Sequence, residues 1–217
     1  MELAITNKRL EILKEIINII DDDKVTTNGI YVYYERTKSN ALGYSLEVAS
    51  KVRNNMDILK YLIKEGAPVN EKITDYDNYD SVKGGYLDKE LSRPLINTVE
   101  IRDIEMMKEL IKAGANVNSK YSSETVLMTA ISKNSLEMVK ELIKNGADAK
   151  HYAEYNNNLI MWALKDDNYD VDIDIIEELI KAGINVNDKN GNGETALMLA
   201  VKRKRLDIVE LLEKYGA

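Results

Sequence analysis

The residues best suited to chemistry in this 217-residue chain are the acidic side chains between Asp166 and Glu177. Oxygen ligands at alternate positions, closed by a glutamate at position twelve, form the ligand pattern of a calcium loop. One hypothesis for this segment is therefore calcium binding. With Asp166 as the first position, the ligands would be Asp166, Asn168, Asp170, Asp172, Asp174 and Glu177.

Two features of the same segment favour an ordinary surface insertion. The sixth position is Val171, where the sharp turn of a calcium loop requires glycine. Aspartates also precede helices for electrostatic reasons, because a carboxylate stabilises the positive end of the helix dipole. We therefore expect no cofactor and no bound metal, and keep a calcium-modulated binding protein as the alternative.

The sequence contains no constellation that is typical of an enzyme. It has no cysteine, which excludes a thiol nucleophile, a disulfide and a cysteine-ligated metal. The single histidine, His151, is flanked by Lys150 and Tyr152 rather than by an acidic or nucleophilic partner. No glycine-rich phosphate loop opens a helix after a strand. We predict that the protein is not an enzyme.

The charge balance and hydropathy restrict the partners further. Lys and Arg number 30 against 37 Asp and Glu, and a net charge of −7 argues against a nucleic-acid ligand. The basic run Lys202–Arg205 is interpreted as the solvated end of a polar terminal repeat. No apolar run is long enough to span a membrane, and the N-terminus has no signal peptide pattern. We expect a cytoplasmic monomer; export into a host cell stays open.

The elements that would position any site are clearest in the last stretch, Gly183–Gly216. A turn at Asn190–Gly193 is followed by Thr195, which precedes an apolar run as a helix N-cap does. A second apolar run, Leu206–Leu212, has helical spacing, and Gly216 is placed where a C′ glycine ends a helix. This stretch predicts two short helices, which cannot bury their apolar faces without neighbouring copies.

The copies are present along the chain. The four-residue start of the second helix recurs at Leu10, Met56, Ile104, Leu136, Ile173 and Leu206. The intervals are 46, 48, 32, 37 and 33 residues, and the shortest intervals lie near the period of a known helical repeat. The chain is therefore predicted to be a repeat protein with insertions of variable length.

The corners and first-helix starts of these copies resemble the ankyrin-repeat family, in the irregular form with finger insertions found in bacterial and viral proteins. The corners are Gly66–Asn70, Gly114–Asn118 and Gly183–Asn187, and Arg93–Ile96, Glu124–Met128 and Glu194–Met198 stand where the family has T-P-L-H. No copy keeps the histidine of that motif. The resemblance implies one all-α ankyrin-repeat solenoid of about six helix pairs with β-hairpin fingers. It would span 1–217, with repeats near 1–20, 40–65, 66–113, 114–145, 146–182 and 183–217 and long fingers at 21–39 and 71–92.

The same resemblance implies a protein–protein recognition module, a scaffold that binds another protein through its fingers and concave face. The family's contact positions, carried over residue by residue, fall in the fingers and first helices of repeats four to six. They are Tyr121, Ser122, Glu124, Ser132, Lys133, Glu154, Tyr155, Asn157, Lys165, Asn192, Glu194, Lys202 and Arg203.

The aromatic residues add a second indication. The chain has 13 tyrosines and no phenylalanine, and tyrosine is enriched where proteins recognise each other. Long hairpins also need tyrosines for packing on their own bodies, and both roles stay open. We expect the interface to centre on the N-terminal half, and we expect Trp162 to pack between repeats. The long-finger tyrosines are Tyr31, Tyr33, Tyr34, Tyr76, Tyr79 and Tyr86.

Overall fold

The structure is a computed structural model, and it describes residues 9–15, 38–70, 79–80, 85–86, 93–121, 123–165 and 170–217. Within them, short α-helices follow one another in pairs, so the predicted all-α architecture is confirmed. The chain divides into two compact units, Met1–Ala115 (unit 1) and Asn116–Ala217 (unit 2). That the chain forms one continuous domain stays a prediction.

Unit 1 contains the helices of the first three repeats. Helix α2 packs against α3 and α4, and α4 packs against its partner α5. Strands β1 and β2 pair antiparallel, with Tyr79 opposite Tyr86. The described elements are α1 (9–15), α2 (Lys38–Ser50), α3 (Met56–Lys64), β1 (Tyr79–Asp80), β2 (Gly85–Tyr86), α4 (Pro94–Glu100) and α5 (Ile104–Lys112).

Unit 2 contains the last three repeats. Its first helices α6, α8 and α10 pack against each other in chain order, and so do its second helices α7, α9 and α11. The elements are β3 (Lys120–Tyr121), β4 (Glu124–Thr125), α6 (Val126–Ser132), α7 (Leu136–Lys144), a 3-10 turn (Glu154–Asn156), α8 (Leu159–Ala163), α9 (Ile173–Lys181), α10 (Ala196–Lys202) and α11 (Leu206–Lys214).

Side-chain caps determine where the first helices of unit 2 begin. Thr125 accepts a hydrogen bond from the backbone N–H of Met128 at 3.1 Å, and Thr195 accepts one from Met198 at 3.3 Å. Asn158 takes this place in repeat five and accepts from the N–H of Met161 at 3.0 Å. Asparagine is as good an N-cap as threonine, so the loss of the threonine in repeat five leaves the helix start intact.

Corner asparagines connect successive repeats. The side-chain amide of Asn70 donates to the carbonyl oxygen of Gly114 at 2.7 Å. Asn118 donates to Gly146 at 3.0 Å and Asn187 donates to Gly216 at 2.9 Å. In repeat five the same position is Lys150, and a Cβ added at Gly183 would lie 3.1 Å from its Cε. Lys150 therefore covers the next corner with a hydrocarbon stem where the other corners have a hydrogen bond.

The core replaces the missing family histidines with apolar packing. Ile96, Met128 and Met161 occupy that position in the inner repeats and are buried. Their counterpart in the last repeat, Met198, is exposed together with Leu206. Apolar side chains thus face solvent on the last repeat, and the basic run Lys202–Arg205 is exposed or half-buried, in line with the solvated run that was expected. Trp162 on α8 is half-buried.

The fingers differ from the expectation in two places. Hairpin pairing is confirmed for β1–β2 and for β3–β4, with Lys120 opposite Thr125. Repeat five instead has the 3-10 turn Glu154–Asn156. The finger expected at 21–39 lies outside the described residues except for its end, which was predicted wrongly, because 38–39 already belong to α2. That helix ends at Ser50.

Candidate functional site

The fingers and first helices of repeats five and six enclose a groove of about 440 Å³ within unit 2. We call it the finger groove. Three of its lining residues, Leu164, Asn190 and Leu199, were not among the predicted contacts. Seven others were predicted from the sequence, namely Tyr155, Asn157, Lys165, Asn192, Glu194, Lys202 and Arg203.

Tyr155 forms the outer wall of the finger groove on the side of repeat five. Its side chain is 69% exposed, and its backbone has a φ of 57°, in the left-handed region. Asn156 follows with a φ of 58°. A non-glycine residue in this region carries strain that persists only where the surrounding structure imposes it. The sequence contains no signal for the left-handed conformation of Tyr155; its turn is closed by the N–H of Ala153, which donates to the carbonyl oxygen of Asn157 at 2.8 Å.

The backbone of repeat six contacts this turn. The N–H of Gly191 donates to the carbonyl oxygen of Tyr155 at 2.7 Å, which is a short bond between adjacent fingers. A Cβ added to Gly191 would lie 3.1 Å from that oxygen. Only glycine therefore allows the two backbones to approach so closely without a shift.

Two buried asparagines form the floor of the groove. The side-chain amide of Asn190 donates to Oδ1 of Asn157 at 3.0 Å and to Oε2 of Glu194 at 3.2 Å. Its own Oδ1 accepts from the backbone N–H groups of Asn192 at 3.0 Å and Glu194 at 2.9 Å. All four hydrogen-bonding positions of this amide are used. Asn157 is only 3% exposed, so it supports the floor while its contact role stays a prediction.

Cations lie where the two first helices end. Lys165 follows α8, and its Nζ lies 4.9 Å from the centroid of the Tyr155 ring, within range of a cation–π interaction. Lys202 is the last residue of α10 and Arg203 is its C-cap. Glu194 is the acidic residue of the lining and lies before the start of α10. The finger groove is therefore basic at its helix end and amide-rich at its finger end.

The remaining predicted contacts lie apart from this groove. On repeat four, Tyr121 and Glu124 are exposed on the paired strands β3 and β4, and Lys133 is the C-cap of α6. Ser132 donates to the carbonyl of Thr129 at 2.9 Å, a local contact. Their contact roles stay predictions. Glu154 is exposed in the 3-10 turn, Tyr79 and Tyr86 pair across β1–β2, and Ser122, Tyr31, Tyr33, Tyr34 and Tyr76 lie outside the described residues.

The sequence pattern marked Asn190 only as part of a turn and did not indicate Leu164 or Leu199 as lining residues. The turn could have been predicted in more detail, because an asparagine side chain commonly accepts a hydrogen bond from the backbone N–H two residues later, in an Asx-turn. The inward direction of Asn190 and its bond to Asn157, 33 residues earlier, had no signal in the local sequence.

The described part of the calcium-loop segment uses its carboxylates in separate contacts. The Asp170 carboxylate accepts from the guanidinium of Arg205, and Asp172 caps α9 by accepting from the N–H of Asp174 at 3.0 Å. Glu177 accepts from Lys181 at 3.1 Å and from the Tyr215 hydroxyl at 3.0 Å. These two bonds, Lys181 first, hold the pKa of Glu177 below its ordinary value.

These contacts do not assemble a metal site in the part of the chain that is described. No group of three or more acidic or histidine side chains among those residues could hold an ion. Asp166 and Asn168, the first two proposed ligands, lie outside the described residues. The calcium alternative stays a prediction.

Comparison with known proteins identifies the class. The family described as "Ankyrin repeats (3 copies)" matches residues 1–153, 95–189 and 135–217, so its matches span the chain. The chain belongs to the ankyrin-repeat family, and the fold predicted from its corners is confirmed. Ankyrin repeats are generally protein–protein interaction modules, and the family is generally non-enzymatic.

One similar protein is a toxin by name. The chain is 33% identical over 107 residues to alpha-latrotoxin-Lg1a of Latrodectus geometricus, a match that covers 49% of this chain and 8% of the toxin. The similarity therefore extends over only a small part of that protein. Separately, none of the helices in the described ranges has the length and apolar character needed to cross a bilayer.

Proposed function

We propose that this protein recognises a segment of another protein in the finger groove between repeats five and six. One observation carries the proposal. Seven residues predicted as contacts on separate fingers and helices line the same groove, around a tyrosine held in a left-handed conformation. The groove volume of about 440 Å³ lies within the usual range for ligand clefts, about 300–1,000 Å³.

The geometry suits binding because the lining is held in place before a partner arrives. Asn157 and Asn190 fix the floor through buried hydrogen bonds, and the bond from Gly191 to Tyr155 fixes the rim. A pre-organised surface loses less conformational entropy on binding than a mobile one. Tyr155 supplies a large contact area with a polar hydroxyl, the combination that is enriched in protein interfaces.

The lining offers groups that bind rather than groups that react. Its carboxylate, Glu194, accepts a hydrogen bond from Asn190, and its other polar groups are amides, cations and one phenol. Catalysis by a general base needs a basic group within reach of a nucleophile or substrate proton. Amides and cations at fixed positions favour recognition of a polypeptide over a reaction on it.

Site-specific photo-crosslinking tests the proposal. Benzoylphenylalanine replaces Tyr155, and a matched protein carries it at Tyr215, an exposed tyrosine after α11. After irradiation in a lysate of the source organism, we expect a discrete protein adduct at position 155 that is weak at position 215. Equal labelling at both positions, or no adduct at position 155, would contradict the proposal.

We propose further that the protein works as a cytoplasmic monomer without nucleic acid or cofactor. The net charge of −7 opposes nucleic-acid binding, and a chain without cysteine suits a reducing compartment. Calcium-modulated binding is the alternative. Titration calorimetry with calcium chloride separates them, because heat of binding together with a raised melting temperature would favour the calcium alternative.

A further inference from the structure

In unit 2, the lysines on the second helices differ in their ion pairs from the lysines at the ends of the first helices. The four lysines on the second helices each lie within 4.0 Å of a glutamate oxygen: Lys140, Lys144, Lys181 and Lys214. Lysines at the ends of the first helices differ. Within the described ranges, Lys133, Lys165 and Lys202 form no such pair. In a chain with more acidic than basic residues, cations without carboxylate partners are available to an external anion.

Lys165 and Lys202 occupy equivalent positions in neighbouring repeats, and Lys133 is displaced by one position. Lys165 and Lys202 follow the last buried positions of α8 and α10, and Lys133 in repeat four corresponds to Arg203 in repeat six. Because α6, α8 and α10 pack against each other in order, their ends form a row. Packed helices lie about 8–10 Å apart, which sets the approximate spacing of the row.

The helix dipole does not account for this row. A cation at a helix C-terminus is favourable, but the effect is only about 0.3–1 kcal/mol and applies to every helix. In repeat three, helix α4 ends at Glu100 where α10 ends at Lys202, and Arg102 follows its C-cap as Lys165 follows the C-cap of α8. Lys165 and Lys202 differ from Arg102 and Lys133 in that both line the finger groove.

We propose that the partner of the finger groove is an acidic polypeptide segment, an extended stretch of Asp and Glu whose carboxylates bind Lys165 and Lys202. This inference rests on the proposed function. An extended chain advances about 3.3 Å per residue, so carboxylates two or three residues apart reach lysines on neighbouring repeats. The exposed amide of Asn192 and the phenol of Tyr155 can bind the peptide backbone between them.

Fluorescence anisotropy with defined peptides tests the charge preference. The probe is a fluorescein-labelled peptide of about ten alternating Glu and Ser residues, about 33 Å long when extended. The comparison ligands are the Gln–Ser and Lys–Ser peptides and oligothymidylate of the same length. We expect saturable binding of the Glu–Ser peptide alone, lost at about 1 M salt, where the screening length is about 3 Å.

Matched charge variants locate the binding. The double variant Lys165→Glu with Lys202→Glu should weaken the Glu–Ser peptide about tenfold or more. The control, Lys112→Glu with Lys144→Glu, changes the net charge equally on exposed second-helix positions and should weaken it less than about twofold. A milder pair, Lys165→Gln with Lys202→Gln, should fall between them, and circular dichroism melting verifies that each variant folds.

Three results would overturn the inference: no binding of the Glu–Ser peptide, equal binding of oligothymidylate, or equal losses in the two double variants. The crosslinking experiment is independent of charge. An adduct at position 155 together with no binding of the acidic peptide would leave the proposed function standing and remove the inference. Absence of the adduct removes the proposed function itself.

Discussion

The backbone N–H of Gly191 donates to the carbonyl oxygen of Tyr155 at 2.7 Å, and this bond joins the fingers of repeats five and six. Tyr155 has a φ of 57° at this point, a conformation that tyrosine rarely adopts. The close approach needs glycine on one side, and the left-handed turn directs the tyrosine on the other towards the groove. This backbone contact joins repeat six to the turn that carries the exposed Tyr155 side chain of the candidate site.

Substituting Tyr155 by glycine should raise stability and reduce binding. Glycine adopts the left-handed region without the steric cost that Tyr155 has there, so we expect the free energy of unfolding to rise by about 0.5–1 kcal/mol. Tyr121→Gly is the control, because Tyr121 is an exposed tyrosine in strand β3 and its loss should destabilise by a similar amount. Urea unfolding measures the free energy of unfolding of both variants. A Tyr155→Gly protein less stable than the parent would contradict the claim that the positive φ of Tyr155 is strained.

Substituting Asn190 by alanine should destabilise unit 2. The N–H groups of Asn192 and Glu194 and the Oδ1 of Asn157 would lose their partner, at a cost of about 2–3 kcal/mol. Asn192→Ala is the matched control at an exposed position and should change stability by less than about 0.5 kcal/mol. Equal melting temperatures for the two variants would show that the buried amide contributes little.

Substituting Lys150 by asparagine should stabilise the corner between repeats five and six. Asn70, Asn118 and Asn187 each donate to the carbonyl of the following corner glycine, and Lys150 occupies the one position without this bond among these four corners. The new bond to Gly183 should contribute about 0.5–1.5 kcal/mol. Lys150→Ala is the control, because it removes the lysine side chain without adding an amide donor. An equal effect of both substitutions in urea unfolding would exclude the hydrogen bond as the cause.

Substituting Tyr215 by phenylalanine should raise the pKa of Glu177. In the folded protein, hydrogen bonds from Lys181 and then Tyr215 lower this pKa below the ordinary value near 4.5. The folded state therefore binds fewer protons than the unfolded state, so this contribution to stability is present above about pH 4.5 and is lost as pH falls through the folded pKa.

Carbon-detected NMR titration of the Glu177 carboxyl provides the measurement. We expect the Tyr215→Phe protein to titrate at higher pH than the parent, yet still below the ordinary value, because Lys181 remains. Its unfolding free energy should fall less steeply on acidification. An unchanged titration would mean that the hydroxyl of Tyr215 does not bind Glu177 in solution.

Local signals in the sequence were sufficient for the helices of the better-matched repeats. Thr125 and Thr195 cap their helices through bonds to residues three positions on, and the sequence pattern predicted the cap at Thr195. The expected second helix 206–212 is observed as Leu206–Lys214. Such predictions succeed because capping and helical periodicity depend on residues within about four positions of each other.

The prediction that was wrong concerns a boundary, the end of the finger expected at 21–39. Helix α2 begins at Lys38, within the range assigned to a finger, and packs against both α3 and α4. In the last repeat, Met198 is exposed although it has the apolar residue type that is buried at Met128 and Met161. The position of a residue within the repeat does not by itself show whether another part of the protein buries its side chain.

By itself the sequence determined the family, the all-α repeats and the residue types available for contact. Tertiary structure decided which of those residues meet: Asn190 bonds to Asn157 and Gly191 to Tyr155, and both contacts join fingers more than 30 residues apart. The repeats have similar local sequences. The local sequence therefore does not predict which finger contacts which. The groove exists because two particular copies pack together, and that packing brings Lys165 and Lys202 to one surface.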